Sequence, residues 1–384
     1  MSEGDGTIRE EVPKGLQGLL DQLDQQPPEV QEVIRDLIRP RGPSDPKRHH
    51  YVPQFYLRRF ARDDGSVHRI GTVPLDDPSA VRIGAVEDTA VIGDFYTIVG
   101  DDNEDSLMVE RLLGRVEADA SKPLVRLATG VLFPPQPSDR FRLALFVALQ
   151  WVRGPRQRRT MEAMAETATK LQMSMARSGE EVREILWEVE GVEPDAARVA
   201  QVMDAIRDGQ DWEVVTSQNE LISLMLNTAM EIAPSLFERH WCIVRYTEAG
   251  LITSDSPVFL HTYPENRDPL RGVGIGTADE VNMALDRRTL LTLHSDDRVG
   301  DRVLQAQPDQ TVDEANQFIV SGARHAVYAH PDDLDRVARL HLPDPDVPLF
   351  QMEGGAWTQP YSDGVNKAPD RTSPHRYRKA RGKR

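Results

Sequence analysis

Hydrophobic positions follow two different spacings along this chain, and the change between them divides it. Between residues 105 and 239 the apolar residues recur every three to four positions. In "DSLMVERLLGRVEADASKPLVRLATG" they are Leu107, Val109, Leu112, Leu113, Val116 and Ala120. That spacing puts them on one face of a helix. "RFRLALFVALQWVRG" is the most apolar stretch and is expected to be a buried helix, capped by Ser138-Asp139 and ended by Gly154-Pro155. Four more helical segments follow, the first rich in Met and Ala and starting at Pro155. After residue 239 the period falls to two. "HWCIVRYT", "GLITSDSPVFL", "NMALD", "TLLTLHS" and "HAVYAHP" read as strands, with a helix over 311–324 and a short one over 334–341. Pro257 lacks a ladder donor, so the strand that holds it must be at an edge or broken there. Before the helical block, "PQFYLRRFA" reads as a short helix with Pro53 in its first turn. "VHRIG", "VRIGAVEDTAVI" and "DFYTIVG" read as short strands.

A helical block with hairpin-connected strands predicts an α+β fold. Its central helical block is joined to a small, mostly antiparallel sheet built from the C-terminal half and short N-terminal strands. Residues 1–46 read as a helical extension ending in the Pro-rich linker "PRGPSDP". Residues 47–340 form the expected main domain, and 341–384 a loose segment with a basic disordered tail.

Charge refines this picture. The chain carries −16 overall, but residues 366–384 hold eight Lys/Arg and one acid, a net +7, which leaves −23 on the rest. The tail suits contact with nucleic acid or an acidic partner, while the body argues against a broad basic docking face. A solubilising tail is the plainer reading. The single cysteine, Cys242, excludes an internal disulfide and a Cys-rich zinc site. No membrane span is expected, since no apolar run approaches the roughly 20 residues one needs. The N-terminus does not read as a signal peptide, so the cytoplasm is the simplest compartment.

Three segments in order, "RHHYVPQFYLRRFA" (48–61), "LITSDSPVFL" (251–260) and "DEANQFIVSGARHAVYA" (313–329), together resemble the bacterial family of unknown function DUF4238. "QWVRGPRQRR" (150–159) resembles its middle segment. Ser256 stands where the family pattern suggests Asn, and "MALDRRTLLTL" lacks an expected Pro-Leu-Ser/Thr-Pro pattern. The resemblance brings no assigned activity, so chemistry must be argued from residues.

His49 and His50 supply imidazoles suited to metal binding or general-base work. On an extended segment they point to opposite sides. Asp255, in a strand interrupted by proline, can bind a metal, orient a histidine or act as a base. The same "SDSP" is also good turn chemistry. Asn316 can hold a substrate or the Asp255 strand. Arg58 and Arg59 can fork onto a carboxylate or phosphate, Arg153 sits at a helix end beside the Gly154-Pro155 break where a polar group can enter a pocket, and Gln150 is a buried amide that needs partners. These residues suggest a hydrolase, with a metal-dependent phosphodiesterase or nuclease as the specific form. His49, His50, Asp255 and Asn316 would be catalytic, and Arg58, Gln150 and Arg153 would bind substrate. A divalent metal ion would sit on His50 and Asp255. The rival is a non-enzymatic binding or regulatory protein in which the same cluster is a structural network. Burial separates them: a catalytic cluster lines an open cleft, a structural one is closed off and satisfied.

Overall fold

The computed structural model describes residues 48–93, 98–99, 105–106, 108–131, 133–208, 216–266, 273–296, 299–307, 311–344, 351–353 and 356–358, together with Pro28, Gln31, Val33 and Arg35. The linker 40–46, the side chain of His49 and the basic tail 366–384 lie outside the described residues. The chain divides into two compact units built from interleaved segments. One comprises Met1–His49, Gly93–Gly114 and Arg156–Met230, the other His50–Ile92, Arg115–Pro155 and Glu231–Arg384.

The helices are α1 (Gln54–Leu57), α2 (Met108–Thr129), α3 (Pro137–Val152), α4 (Pro155–Met175), α5 (Gly179–Glu190), α6 (Ala196–Asp208), α7 (Gln218–Glu238), α8 (Val312–Ser321) and α9 (Leu334–Val337). Ten strands build two sheets: β1 (Arg62–Asp63), β2 (His68–Pro74), β3 (Arg82–Ala85), β4 (His240–Arg245), β5 (Thr253–Ser254), β6 (Val258–His261), β7 (Glu280–Asp286), β8 (Thr289–His294), β9 (Arg302–Gln305) and β10 (Ala326–Ala329). The fold is α+β.

In the first unit, α5 and α6 bury a core of Met173, Val182, Leu186, Val199 and Val202. Ser178 caps α5 by accepting the Glu181 N–H, and Gly191 ends it at φ 69°, a left-handed conformation that glycine adopts without strain. The Met-rich α4 is only partly packing material. Met161 and Met173 are buried, whereas Met164 and Met175 are exposed.

In the second unit both sheets have five strands: the one with the longer strands, and so the larger, has the order β6-β7-β8-β4-β9, and the smaller has β1-β2-β10-β5, with β3 also on β2. Within these two sheets the pairings are antiparallel except β9 with β4, which run parallel. β7, β8 and β10 are buried along almost their whole length. The segment read as one strand over 250–260 is two. β5 ends one sheet, β6 ends the other, and Asp255–Pro257 is the break between them. Proline thus sits where no ladder donor is needed.

Several starts and stops differ from the sequence expectation; the helices expected over 311–324 and 334–341 end early, at Ser321 and Val337. α1 covers only Gln54–Leu57 and tightens into a 3-10 turn over Arg58–Phe60, with Pro53 as an extended residue before it. α3 starts at Pro137, whose missing N–H needs no partner in the first turn, so Ser138-Asp139 do not cap it. "VRIGAVEDTAVI" breaks at a 3-10 turn over Val86–Asp88. Of the two caps the sequence offers for α8, Thr311 and Asp313, the structure uses Thr311: its hydroxyl takes the Glu314 N–H while the Glu314 carboxylate takes the Thr311 N–H. Replacing Thr311 by Ala is expected to cost about 1 kcal/mol, measured as a lower urea midpoint. An unchanged midpoint would show that the packing of α8 alone sets its start.

Candidate functional site

The signature residues reach their places through backbone irregularities. Arg153 follows the last turn of α3, where Gly154 lets the chain pass close to the strand break: a Cβ at Gly154 would lie 3.1 Å from the Asp255 carbonyl oxygen. The Arg153 guanidinium is buried. It donates to the carbonyls of Tyr51 (2.7 Å) and His50 (2.7 Å) and to the Glu117 carboxylate (2.8 Å). Five donors in a rigid fork suit this three-way grip. The His50 imidazole lies 3.1 Å from the Glu87 carbonyl. Tyr51 bonds the Tyr328 hydroxyl at 2.7 Å. Burial pushes the Tyr51 phenol up to about 12, and the Asp255 charge adds to this, while the Tyr328 bond opposes it. The pair is therefore neutral and cross-links the signature segment to β10.

Asp255 is fully buried. Its carboxylate accepts the backbone N–H of Arg324 (3.0 Å) and of His325 (2.9 Å), the turn that leads from α8 into β10. Asn316, also fully buried, accepts the Ile252 N–H (3.1 Å) and donates to the Gly250 carbonyl (2.8 Å). Tyr56 donates to the Ala284 carbonyl (2.8 Å) and bonds Thr253 Oγ1 (2.9 Å). Arg59 holds Asp286 and the Leu285 carbonyl.

The structure thus draws His50, Arg153, Asp255 and Asn316 into one set of ties around the β5 segment. Arg58 stands apart on an exposed face, bonded to Gln54 and Glu87. Gln150 is buried with both amide atoms lacking a hydrogen-bond partner. Among the described residues, no three His, Cys, Asp or Glu side chains are grouped to hold a metal ion.

The family model of proteins of unknown function (DUF4238) matches residues 48–333. The chain belongs to the DUF4238 family. No curated protein and no solved structure matches it. The matched span begins at the "RHH" of the DUF4238 signature and ends just after β10, so all the ties above fall within it.

The sequence reading passed over a second polar group in this DUF4238 protein. Cross-strand register aligns His261, Glu280, His294 and His240 in one row across β6, β7, β8 and β4. Glu280 is fully buried and accepts the Tyr263 hydroxyl at 2.5 Å. His294 Nδ1 lies 3.6 Å from the same carboxyl oxygen. The His261 ring meets Tyr263 edge-on at 5.3 Å and Phe318 of α8 at 5.4 Å. The sequence did carry a signal. Glu280 and Asn282, then Thr292 and His294, alternate with Val281, Met283, Leu291 and Leu293 in strands buried on both faces.

Burial, then the charges of Arg302 and Arg239, push the His294 imidazole down to about 4 from its ordinary 6.5. Between those values the unfolded chain binds a proton that the folded one refuses. The stability contributed by neutral His294 is therefore complete above pH 6.5 and lost as pH falls toward 4, about 3 kcal/mol in all. Urea unfolding at pH 7 and 4.5 is expected to show this loss in the native chain and a smaller one in His294→Gln. Superimposable pH profiles would assign it to other groups. Asn316→Ala leaves the Ile252 N–H and Gly250 carbonyl unpaired and is expected to cost about 2–4 kcal/mol, read from the same unfolding curves.

Proposed function

We propose that this protein works by binding rather than by turnover at its signature: a non-enzymatic binding or regulatory protein in which the family motifs fasten the fold. One observation carries the reading. Arg153, Asp255 and Asn316 are almost wholly buried, and each aims its polar atoms at backbone groups of distant segments. A carboxylate that already accepts two backbone N–H bonds in a closed interior is a poor base and a poor metal ligand. The acidic body favours neutral or cationic partners, and the +7 tail supports contact with nucleic acid or an acidic partner. Among the described residues no helix is long and apolar enough to cross a membrane. The cytoplasm remains the proposed location.

A second reading, a hydrolase, draws on one specific observation. Glu280, His294 and Tyr263 bring a carboxyl, an imidazole and a phenol together, the residue types of general acid–base catalysis. On this reading the chemistry moves from His50 and Asp255 to the sheet row.

Turnover by the native chain separates the readings, with Glu280→Gln testing the sheet row and Asp255→Ala and Arg153→Ala testing the signature. The binding reading expects each signature variant to lose roughly 3 kcal/mol or more, because buried backbone groups and the Glu117 carboxylate are left without partners. Melting is measured alongside turnover of bis(p-nitrophenyl) phosphate and single-stranded DNA with Mg²⁺ or Mn²⁺. A native chain that turns over either substrate, with that turnover lost in a normally melting Glu280→Gln or Asp255→Ala variant, would overturn the binding reading.

A further inference from the structure

One apolar helix face belongs neither to a core nor to the signature ties. α4 turns Met173 into the core of the first unit, and it also buries Met161 and Thr169. Beside that buried strip runs a second apolar one. Met164, Leu171 and Met175 are 60%, 62% and 63% exposed, and Ala168 between them is exposed as well. The steps of 4, 3 and 4 residues between these four positions are the a/d spacing of a coiled-coil seam. At 3.6 residues per turn they fall within about 60° of the helix circumference. Large apolar side chains scattered singly on a surface need no explanation, but a seam aligned along one helix marks an interaction face.

The seam is complementary to itself. Its steps read the same from either end, so a second α4 laid antiparallel on the first sets Met164 of one copy against Met175 of the other. The same register sets Ala168 against Leu171, twice. The small alanine leaves room for the leucine, and flexible methionines fill both ends. Charge favours the same occupant. The chain carries −16, so two copies repel wherever charged faces meet. The seam is bordered by Ala165 and Gln172 on one side and by Thr167 and Ser174 on the other, and none of these is charged. Glu162, Glu166 and Lys170 stand away from it around the helix, where Lys170 pairs with Glu166 at 2.9 Å. A strongly charged partner would gain nothing from such a border, whereas a second copy meets it without like-charge contact.

We propose that this protein self-associates through α4, as an antiparallel two-fold helix pair centred between Ala168 and Leu171. The seam spans about 16 Å of helix. A contact of that length falls short of the roughly 1,200 Å² at which standard interfaces begin. The dimer therefore exchanges with monomer, with a Kd in the micromolar range. It is independent of either reading of the signature.

Sedimentation of the full-length chain across micromolar concentrations is expected to show a mass rising from one chain toward two. Leu171→Glu places a charge at the centre of the seam and should weaken association about tenfold or more. Its melting in dilute solution should match the native chain, because Leu171 is exposed. Met175→Glu repeats the test at a second exposed position. Register is read by oxidising an equal mixture of Ala168→Cys and Leu171→Cys, in which the mixed disulfide should exceed both self-pairs together. Cys242 is buried and stays out of the reaction. A native chain that remains monomeric overturns the proposal and leaves the seam to a helix of a different protein. Association of Leu171→Glu equal to that of the native chain, or an excess of self-paired disulfides, overturns it as well.

Discussion

The carboxylate of Asp255 fixes the point at which one stretch of chain leaves one sheet and joins another. Thr253–Ser254 pairs with β10, and Val258–His261 pairs with β7. Between them Pro257 has no N–H to place, and the Asp255 side chain takes up two N–H groups at the start of β10. A charge buried this deeply is tolerated only where hydrogen bonds replace its water. The bonds it makes hold together the turn after α8 and the break between the sheets. The other ties converge on that point. Asn316 anchors the backbone leading into β5, Tyr56 reaches Thr253, and Arg153 clamps His50 and Tyr51 where Gly154 passes against Asp255.

This explains why the motifs are so far apart in the chain. Tyr51 and Tyr328 are 277 positions apart, and Asp255 and Arg324 are 69 apart. Each tie closes a long loop, and the entropy of that closure falls on a few strong, buried bonds. Polar side chains satisfy backbone groups here because the strand break and the turn after α8 leave N–H and C=O groups that no ladder can pair. The polar row on the larger sheet has a different character. Its groups share a sheet face rather than mending a backbone.

Much of the fold was legible in the sequence, because amphipathic period and turn chemistry act locally. The helical block, the switch to strands after residue 239, the start of the helix near residue 311 and the proline-bearing break all follow from short stretches. The boundaries that moved did so where a local rule met a stronger neighbour. Pro137 displaced Ser138-Asp139 as the helix start, and α1 shortened into a 3-10 turn as Tyr56 and Phe60 were drawn into the core. β9 went unread because its burial alternates over only four residues.

Local pattern is enough to specify the fold class, the two periods and the residue types gathered in each motif. What those residues do is set by the segments that folding brings around them. Side-chain identity says that Asp255 can be a base, a ligand or a tie. Which it becomes depends on whether the groups around it are backbone N–H or open solvent, and those groups come from segments that local pattern cannot bring together. The same holds for Glu280 and His294, which read as ordinary strand positions until β7 and β8 pair. Register, set by the hairpin and by burial of both faces, then places an acid and an imidazole side by side.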